Sequence, residues 1–369
     1  MAVTTGKVIS LLEEIAPPGL QAEWDNSGLQ VGDRQWPVEK ILLALDTTLD
    51  VVQYAIHHRH DFIISHHPLF FHKQKRIDLA TPTGKIIAAA LTNRISIYSM
   101  HTNLDVIKGG VSDALAELLN LTKVQVLDRQ RGDYYKLAVF VPESHLVPLR
   151  QALGDAGAGW IGDYSHCTFS ASGQGTFLPR EGAKPWLGAV GTLEEVKESK
   201  LETLVAGDRL PKVLAAMNSV HPYEEIAYDL VPLSIPANYG MGRIGLLLEP
   251  MTLGTFAARV AAALKCPSPK LCGESEKIVQ KVAVCGGSGG SFVDLAHRRG
   301  ADVLVTGDID HHQALTALQL GLALVDPGHY FSEIPILTSI ETALGSSLRE
   351  IEVFRYPGST NPWRLLDNF

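Results

Sequence analysis

Two hydrophobic rhythms alternate along the first third of this chain. Residues 4–16 place Val8, Ile9, Leu12 and Ile15 at helical spacing, with Thr4 or Thr5 as the cap and Pro17-Pro18-Gly19 as the stop. A turn-rich segment, Glu23 to Gly32, then enters a short strand. Continuous apolar runs at Ile41 to Leu45, at 61–65 and at Ile95 to Met100 predict buried strands. Helices are predicted over about 49–59 and from about Pro82-Thr-Gly84 onward. Unbroken apolar strands alternating with helices predict a mainly parallel sheet covered by helices. In such sheets functional groups gather beyond the carboxyl ends of the strands. Asp46, His66, His67, His101 and Asp105 all fall there.

From about residue 129 the rhythm changes. Strands are predicted at 134–141, 164–171, 195–206 and 225–231, and helices at 143–156 and from an Asp208 cap to about 219. Strand–helix–strand–strand–helix–strand is the ferredoxin-like order. Residues 129–235 therefore read as a separate α+β domain, with Pro232 to Gly240 as its exit linker. The first rhythm then resumes: a helix at 255–264, a strand at 281–285, Gly286-Gly-Ser-Gly-Gly290, and a helix to about 299. Strands at 301–305 and 322–325 follow, then a final helix to about 347. The expected fold class is α/β, a mainly parallel sheet flanked by helices and interrupted by an inserted ferredoxin-like domain. The halves of the outer domain are 1–128 and 236–369.

A length of 369 residues suits two or three domains. With 46% hydrophobic and 20% charged residues, long disordered segments are not expected. The net charge of −8 argues against a mainly electrostatic grip on nucleic acid. Four cysteines, none in a Cys-x-x-Cys pair, are too few for a disulfide scaffold of this size. The N-terminus lacks the apolar core of a signal peptide, and no apolar run is long enough to span a bilayer. A soluble cytoplasmic protein without a membrane partner is expected.

The chemistry concentrates at strand ends. Asp61-Phe-Ile-Ile-Ser-His-His-Pro68 ends an apolar strand in two adjacent imidazoles. Adjacent strand residues point to opposite faces, so His66 and His67 can serve one site only where the strand has ended. Pro68 favours that ending. Neutral imidazole is the commonest metal ligand. His101 to Asp105, Asp308 to His312 and His329 to Glu333 are the other such ends. His329 and Glu333, four apart, share a face of one helical turn, and Pro335 disfavours one uninterrupted helix there. Imidazole and carboxylate without thiolate suit zinc, iron or manganese better than calcium or magnesium. The candidate ligands exceed the three that one catalytic ion needs. A carboxylate-bridged pair of ions, about 3.5–4 Å apart and activating water for hydrolysis, accounts for the excess.

The motifs Trp24-Asp-Asn-Ser-Gly-Leu29, Ser65-His-His-Pro-Leu69, His101-Thr-Asn-Leu-Asp105, Gly286-Gly-Ser-Gly289, Thr306-Gly-Asp308 and Gly328-His-Tyr-Phe-Ser-Glu333 are spread along nearly the whole chain. Together they resemble the Nif-three-like dinuclear-metal family, whose bacterial members are described as GTP cyclohydrolase 1 type 2 homologues. Gly175-Thr-Phe177 and His221-Pro-Tyr-Glu-Glu225 resemble the insertion of its longer members. The resemblance implies two divalent metal ions per chain, held by His66, His67, Asp105, His329 and Glu333, with Asp105 and Glu333 the bridging carboxylates. It also implies a ring-shaped homohexamer. Ser27 departs from the family's small apolar residue, and Asp310-His311 from its basic and aromatic pair.

Other residues admit rival readings. His101, Asp308 and His312 are candidate catalytic groups; the rival readings are an orienting group, a proton shuttle or a satisfied loop histidine for His101, and orienting a ligand or capping the next helix for Asp308 and His312. Gly286, Gly287, Ser288 and Gly289 could form a backbone nest for an anion before a helix, or simply a tight turn. Strand, Gly-x-Ser-x-Gly and helix is also the nucleophile-elbow pattern, with Asp308 or Asp326 and then His329 following. His57, His58, His60 and His72 read as surface residues, and His221 as a shaping residue of the middle domain. The leading function is two-metal hydrolysis of a nucleotide-like or phosphorylated small molecule, GTP ring-opening being the version that the resemblance implies. The alternative is a metal-containing regulatory or binding assembly whose inserted domain senses a small molecule. Binding of single-stranded nucleic acid inside a ring is a third reading, against which the acidic charge counts.

Overall fold

The apolar runs become strands buried on both faces in the computed structural model, which describes residues 3–72, 74–348 and 350–364. The chain divides into two compact units, one of residues 1–129 with 239–369 and one of residues 130–238. In chain order the elements are α1 (Thr5–Ile15), β1 (Gly28–Val31), β2 (Lys40–Ala44), α2 (Leu49–His57), β3 (Phe62–Ser65), α3 (Pro82–Thr92), β4 (Ser96–Ser99), α4 (Thr102–Val106), α5 (Val111–Leu118) and β5 (Thr122–Arg131). The second unit holds β6 (Tyr134–Pro142), α6 (Leu146–Asp155), β7 (Thr168–Phe177), β8 (Glu194–Ala206), α7 (Leu210–Val220) and β9 (Tyr228–Leu233). Then come β10 (Pro236–Thr252), α8 (Leu253–Leu264), β11 (Lys270–Cys272), β12 (Ile278–Ser288), α9 (Val293–Arg298), β13 (Val303–Gly307), α10 (His311–Leu320), β14 (Ala323–Asp326), α11 (His329–Glu333), α12 (Ile336–Ser347) and β15 (Glu352–Arg355).

The first unit is α/β, and two sheets carry it rather than one. The first runs β1-β4-β3-β2-β15, with β4, β3, β2 and β15 parallel and β1 antiparallel at the edge. The second runs β11-β14-β13-β12-β10-β5, with β12, β13 and β14 parallel. Strand alternation feeds two cores on the first sheet. Ile41, Leu43, Phe62 and Ile64 pack with α1 and α12 residues such as Leu12 and Leu344, while Leu42 and Ile63 pack with α2 and α3 residues such as Val52 and Ile87. Burial on both faces explains why these strands carry no polar alternation. Arg243 of β10, buried, ties the two stretches of this unit together. Its guanidinium donates to both oxygens of Asp113, at 2.7 and 2.8 Å, and to the carbonyls of Ile107, Gly240 and Gly242.

The second unit is a four-stranded antiparallel sheet in the order β7-β8-β6-β9, with α6 and α7 supplying its own core of Leu149, Leu153, Val213 and Met217. His221 is buried there. It donates from Nε2 to the Phe140 carbonyl at 2.9 Å and accepts at Nδ1 from the Tyr223 amide.

Several expected boundaries move. The strand placed at 164–171 is Thr168–Phe177, nearly all of it exposed, so no apolar face marked its position. The expected linker from Pro232 is instead occupied by β9 and, from Pro236, by the long strand β10. Asp208 does not cap α7; it lies in a short 3-10 turn and pairs with Arg209 at 3.3 Å. His57, His58 and His72 are exposed, but His60 is buried, its ring set against Phe354. All four cysteines are free. No helix among the described residues is long and apolar enough to cross a membrane.

Candidate metal centre

The site is assembled from the carboxyl ends of strands of both sheets. Beyond β3 the backbone amides of His66 and His67 still pair with the Ala44 and Leu45 carbonyls. The hydroxyls of Ser65 and Ser99 both donate to the His67 carbonyl, at 2.8 and 3.3 Å. This turns the chain, and the two rings end with centroids 4.9 Å apart on one site. From β4 comes His101, followed by α4 with Asp105. From β14 comes α11, whose single turn brings His329 and Glu333 onto one face; the chain breaks at Pro335 before α12. Two glycines make room for α11. A side chain at Gly287, where φ is +65°, would meet Glu333 Oε1 at 2.3 Å, and one at Gly307 would meet the His329 amide nitrogen at 2.5 Å.

Glu333 lies at the centre. Its Oε1 is 3.6 Å from His66 Nε2, and its Oε2 is 3.1 Å from His67 Nε2 and 3.2 Å from His329 Nε2. Asp105 Oδ1 stands 3.7 Å from His66 Nε2. Among the described residues, two groups have ligating atoms within 4.8 Å of one another: His66, His67 and His101, and His67, His329 and Glu333.

Each imidazole is oriented through its other nitrogen. Nδ1–H of His66 donates to the Met100 carbonyl at 2.8 Å, that of His67 to Asp46 at 2.8 Å, that of His101 to Asp25 at 2.8 Å, and that of His329 to Asp308 at 2.7 Å. This leaves Nε2 with its lone pair turned to the cluster, the tautomer that metal-ligating histidines adopt. His66 Nε2 and Glu333 Oε2 are buried without a hydrogen-bond partner among the described residues. Buried polar atoms are costly to leave unpaired. Cations beside these atoms would satisfy them, so the residues fit divalent metal.

The same carboxylates also favour a proton on the imidazoles, so a metal would bind there in competition with protons. Burial opposes the charge of Glu333, but His66, His329 and His67 outweigh it and hold the carboxyl well below the usual range. His67 is pushed up to about 10: burial opposes its charge, and Asp46 and Glu333 prevail. Glu333 above all pushes His329 up to about 9. Burial drives the Asp105 carboxyl up, against the pull of His66.

The structure thus gathers His66, His67, His101, Asp105, His329 and Glu333, with Asp308 behind His329. It does not gather His312, which is exposed on α10 with its ring against His311. Asp310 caps α10 through a capping box with Gln313. In the glycine loop the amides of Gly286, Gly287 and Gly289 already donate to the hydroxyls of Ser112, Ser332 and Thr306, so an anion would have to displace them. Ser288 is exposed, and the His329 Nε2 that a nucleophile elbow would need faces His67 and Glu333 instead, which counts against that reading. Two carboxylates escaped the sequence reading as orienting groups, Asp25 and Asp46. Asp25 sits inside Trp24-Asp-Asn-Ser-Gly-Leu29, and Asp46 directly follows a strand; those positions were the available signals. Ser27 belongs to the same network, donating to Asn103 at 2.8 Å and accepting from the His101 amide at 3.2 Å.

A helix-covered α/β scaffold with a buried imidazole–carboxylate cluster able to hold metal is the class these features define. The chain belongs to the Duf34/NIF3 (NGG1p interacting factor 3) family, whose profile matches residues 3–362. It is similar to the GTP cyclohydrolase 1 type 2 homolog of Halalkalibacterium halodurans, with 42% identity over 99% of this chain and 100% of that one. The homolog of the same name from Bacillus subtilis is 41% identical over 99% of each chain. Among solved structures, a Bacillus cereus protein related to NIF3 superposes with a TM-score of 0.84 and 42% identity, covering 99% of this chain and 100% of that one.

Proposed function

We propose that the chain holds two divalent transition-metal ions, zinc, iron or manganese, and hydrolyses a nucleotide-like or phosphorylated small molecule. The observation that carries this reading is the position of Glu333. Its two oxygens reach different imidazoles, Oε1 toward His66 and Oε2 toward His67 and His329, as a bridging carboxylate requires. In this reading His66 would hold one ion and His67 and His329 the other, with Glu333 and Asp105 the carboxylates shared between them. A pair of ions there would polarise a carbonyl or phosphoryl oxygen and lower the pKa of water.

The chain's own residues do the rest. Asp25 takes the Nδ1–H of His101, which leaves Nε2 to accept a proton from the attacking water and return it to the leaving group. Asp46 and Asp308 fix His67 and His329. The relatives' names point to GTP as one substrate to test. We extend the proposal to a ring-shaped homohexamer, which light scattering on purified protein would test. The experiment for the reaction is a screen of metal-loaded protein against nucleotides, phosphoesters and cyclic amides. Turnover that disappears in His101→Gln while the metal stays bound is expected; no turnover of any member would remove the hydrolase reading.

A second reading is that residues 130–238 sense a small molecule and regulate the centre. What favours it is that they form a compact unit with a separate core. Turnover and ligand binding unchanged after their excision would count against it.

A further inference from the structure

Two large aromatic side chains stand in solvent beside the cluster with no packing role that explains them. Trp24 is 66% exposed and Phe71 is 49% exposed. Each stands edge-on to the ring of His101, with centroids 5.8 and 5.6 Å away and interplanar angles of 74° and 83°. Phe71 also lies 6.4 Å from His67. Exposed aromatic groups of this size bury little surface on folding, so the core does not require them.

The backbone beside each is nevertheless held in place. Asp25, next to Trp24, has a buried side chain that accepts from His101 Nδ1 at 2.8 Å and from the Thr102 amide at 3.0 Å. The loop carrying Trp24 is tied to the one carrying Phe71. Asn26 Nδ2 donates to the Phe70 carbonyl at 2.9 Å, and Gln30 Oε1 accepts from the Phe70 amide at 3.3 Å. Two rings are thus held beside the imidazole whose Nε2 is left for chemistry, with much of their surface open to a ligand.

We propose that Trp24 and Phe71 form a ring-binding subsite of the metal centre, selecting substrates that carry a planar, purine-type heteroaromatic ring. The rings supply stacking surface, which is tolerant of substituents because every such base has a π face. His101 and the ligand cluster then meet the heteroatoms or the attached phosphate. This inference rests on the two-metal reading above and narrows its substrate class.

The test is calorimetric titration of the full-length, zinc-loaded protein with guanosine 5′-monophosphate and with ribose 5-phosphate, which lacks the ring. Wild type is expected to bind the nucleotide at least about tenfold more tightly than the sugar phosphate. Trp24→Leu and Phe71→Leu are each expected to weaken nucleotide binding by about tenfold, with ribose 5-phosphate binding and zinc content unchanged. Trp24→Phe, which restores a ring, is expected to recover most of the loss. Equal affinity for the two ligands, or nucleotide affinity unchanged in both leucine variants, would overturn the subsite. Because binding is read without turnover, failure of the hydrolase reading alone leaves this ring preference intact. Turnover that persists unaltered in both variants would overturn the subsite and leave the hydrolase reading standing.

Discussion

His67 and His329 lie 262 residues apart in sequence, yet their Nε2 atoms stand 3.2 Å from each other. Each ring has committed its Nδ1–H to a carboxylate, Asp46 for His67 and Asp308 for His329. Two neutral imidazoles held this way would point lone pair at lone pair. Only a proton or a cation between them makes the arrangement favourable, and Glu333 Oε2 completes a three-sided pocket for one.

The supporting carboxylates should therefore matter without touching the ion. Asp46→Ala and Asp308→Ala are each expected to weaken metal affinity by about 10–100-fold, measured by competition with a chromophoric chelator. Affinities equal to wild type would mean that these carboxylates do not set the orientation of the two histidines.

Gly287 offers a steric test. Gly287 and Gly321 have nearly the same φ, +65° and +69°, but a side chain at Gly287 would collide with Glu333, whereas nothing lies within 4 Å at Gly321. Gly287→Ala is expected to lose bound metal, whereas Gly321→Ala carries only the backbone strain, about 1 kcal/mol. Metal content and thermal midpoints of the two variants check this. Equal metal content in both would contradict a cluster dependent on close approach of α11.

Arg243→Met addresses the join between the two stretches of the first unit. The substitution takes the guanidinium away from the Gly240 and Gly242 carbonyls and from Asp113 and the Ile107 carbonyl, which keep only the Gly109 and Gly110 amides. Removing one partner of a buried ion pair costs about 3–5 kcal/mol, so the urea midpoint should fall steeply. Loss of less than about 1 kcal/mol would show that water replaces the guanidinium readily.

His60 carries a pH prediction. It is buried, and neither ring nitrogen has a hydrogen-bond partner among the described residues. Burial holds its pKa below the ordinary 6.5. The unfolded chain then takes up a proton that the folded protein refuses. The resulting stability is fully present above pH 6.5 and falls as pH drops below it toward the folded pKa. His60→Phe is expected to flatten the stability–pH slope in that window; an unchanged slope would assign acid lability to other groups.

Much of the first unit was legible because its strands are covered on both faces and so read as unbroken apolar runs. The strand ends followed from that, and with them His66, His67, His101 and Asp105. Two edge strands were the hard ones: β15 was not read at all, and β7 was placed too early. β15 and β7 expose most of their residues and carry no hydrophobic pattern to mark them. The division into two sheets was hidden as well, since β10, the long strand between them in sequence, begins in a proline-rich segment that reads as a linker. Asp25 and Asp46 act through the histidines they hold, and a pairing across 76 residues or 21 residues leaves no spacing signal. His60 was misjudged because its neighbours His57 and His58 are polar and exposed, and nothing local showed that one ring of the three turns inward.

Metal stoichiometry decides the rest. Mass spectrometry on untagged protein purified without chelators should find two transition-metal ions per wild-type chain, with loss in both Asp105→Ala and His329→Ala. No metal in wild type, even after reconstitution with zinc, iron or manganese, would contradict a centre built around Glu333.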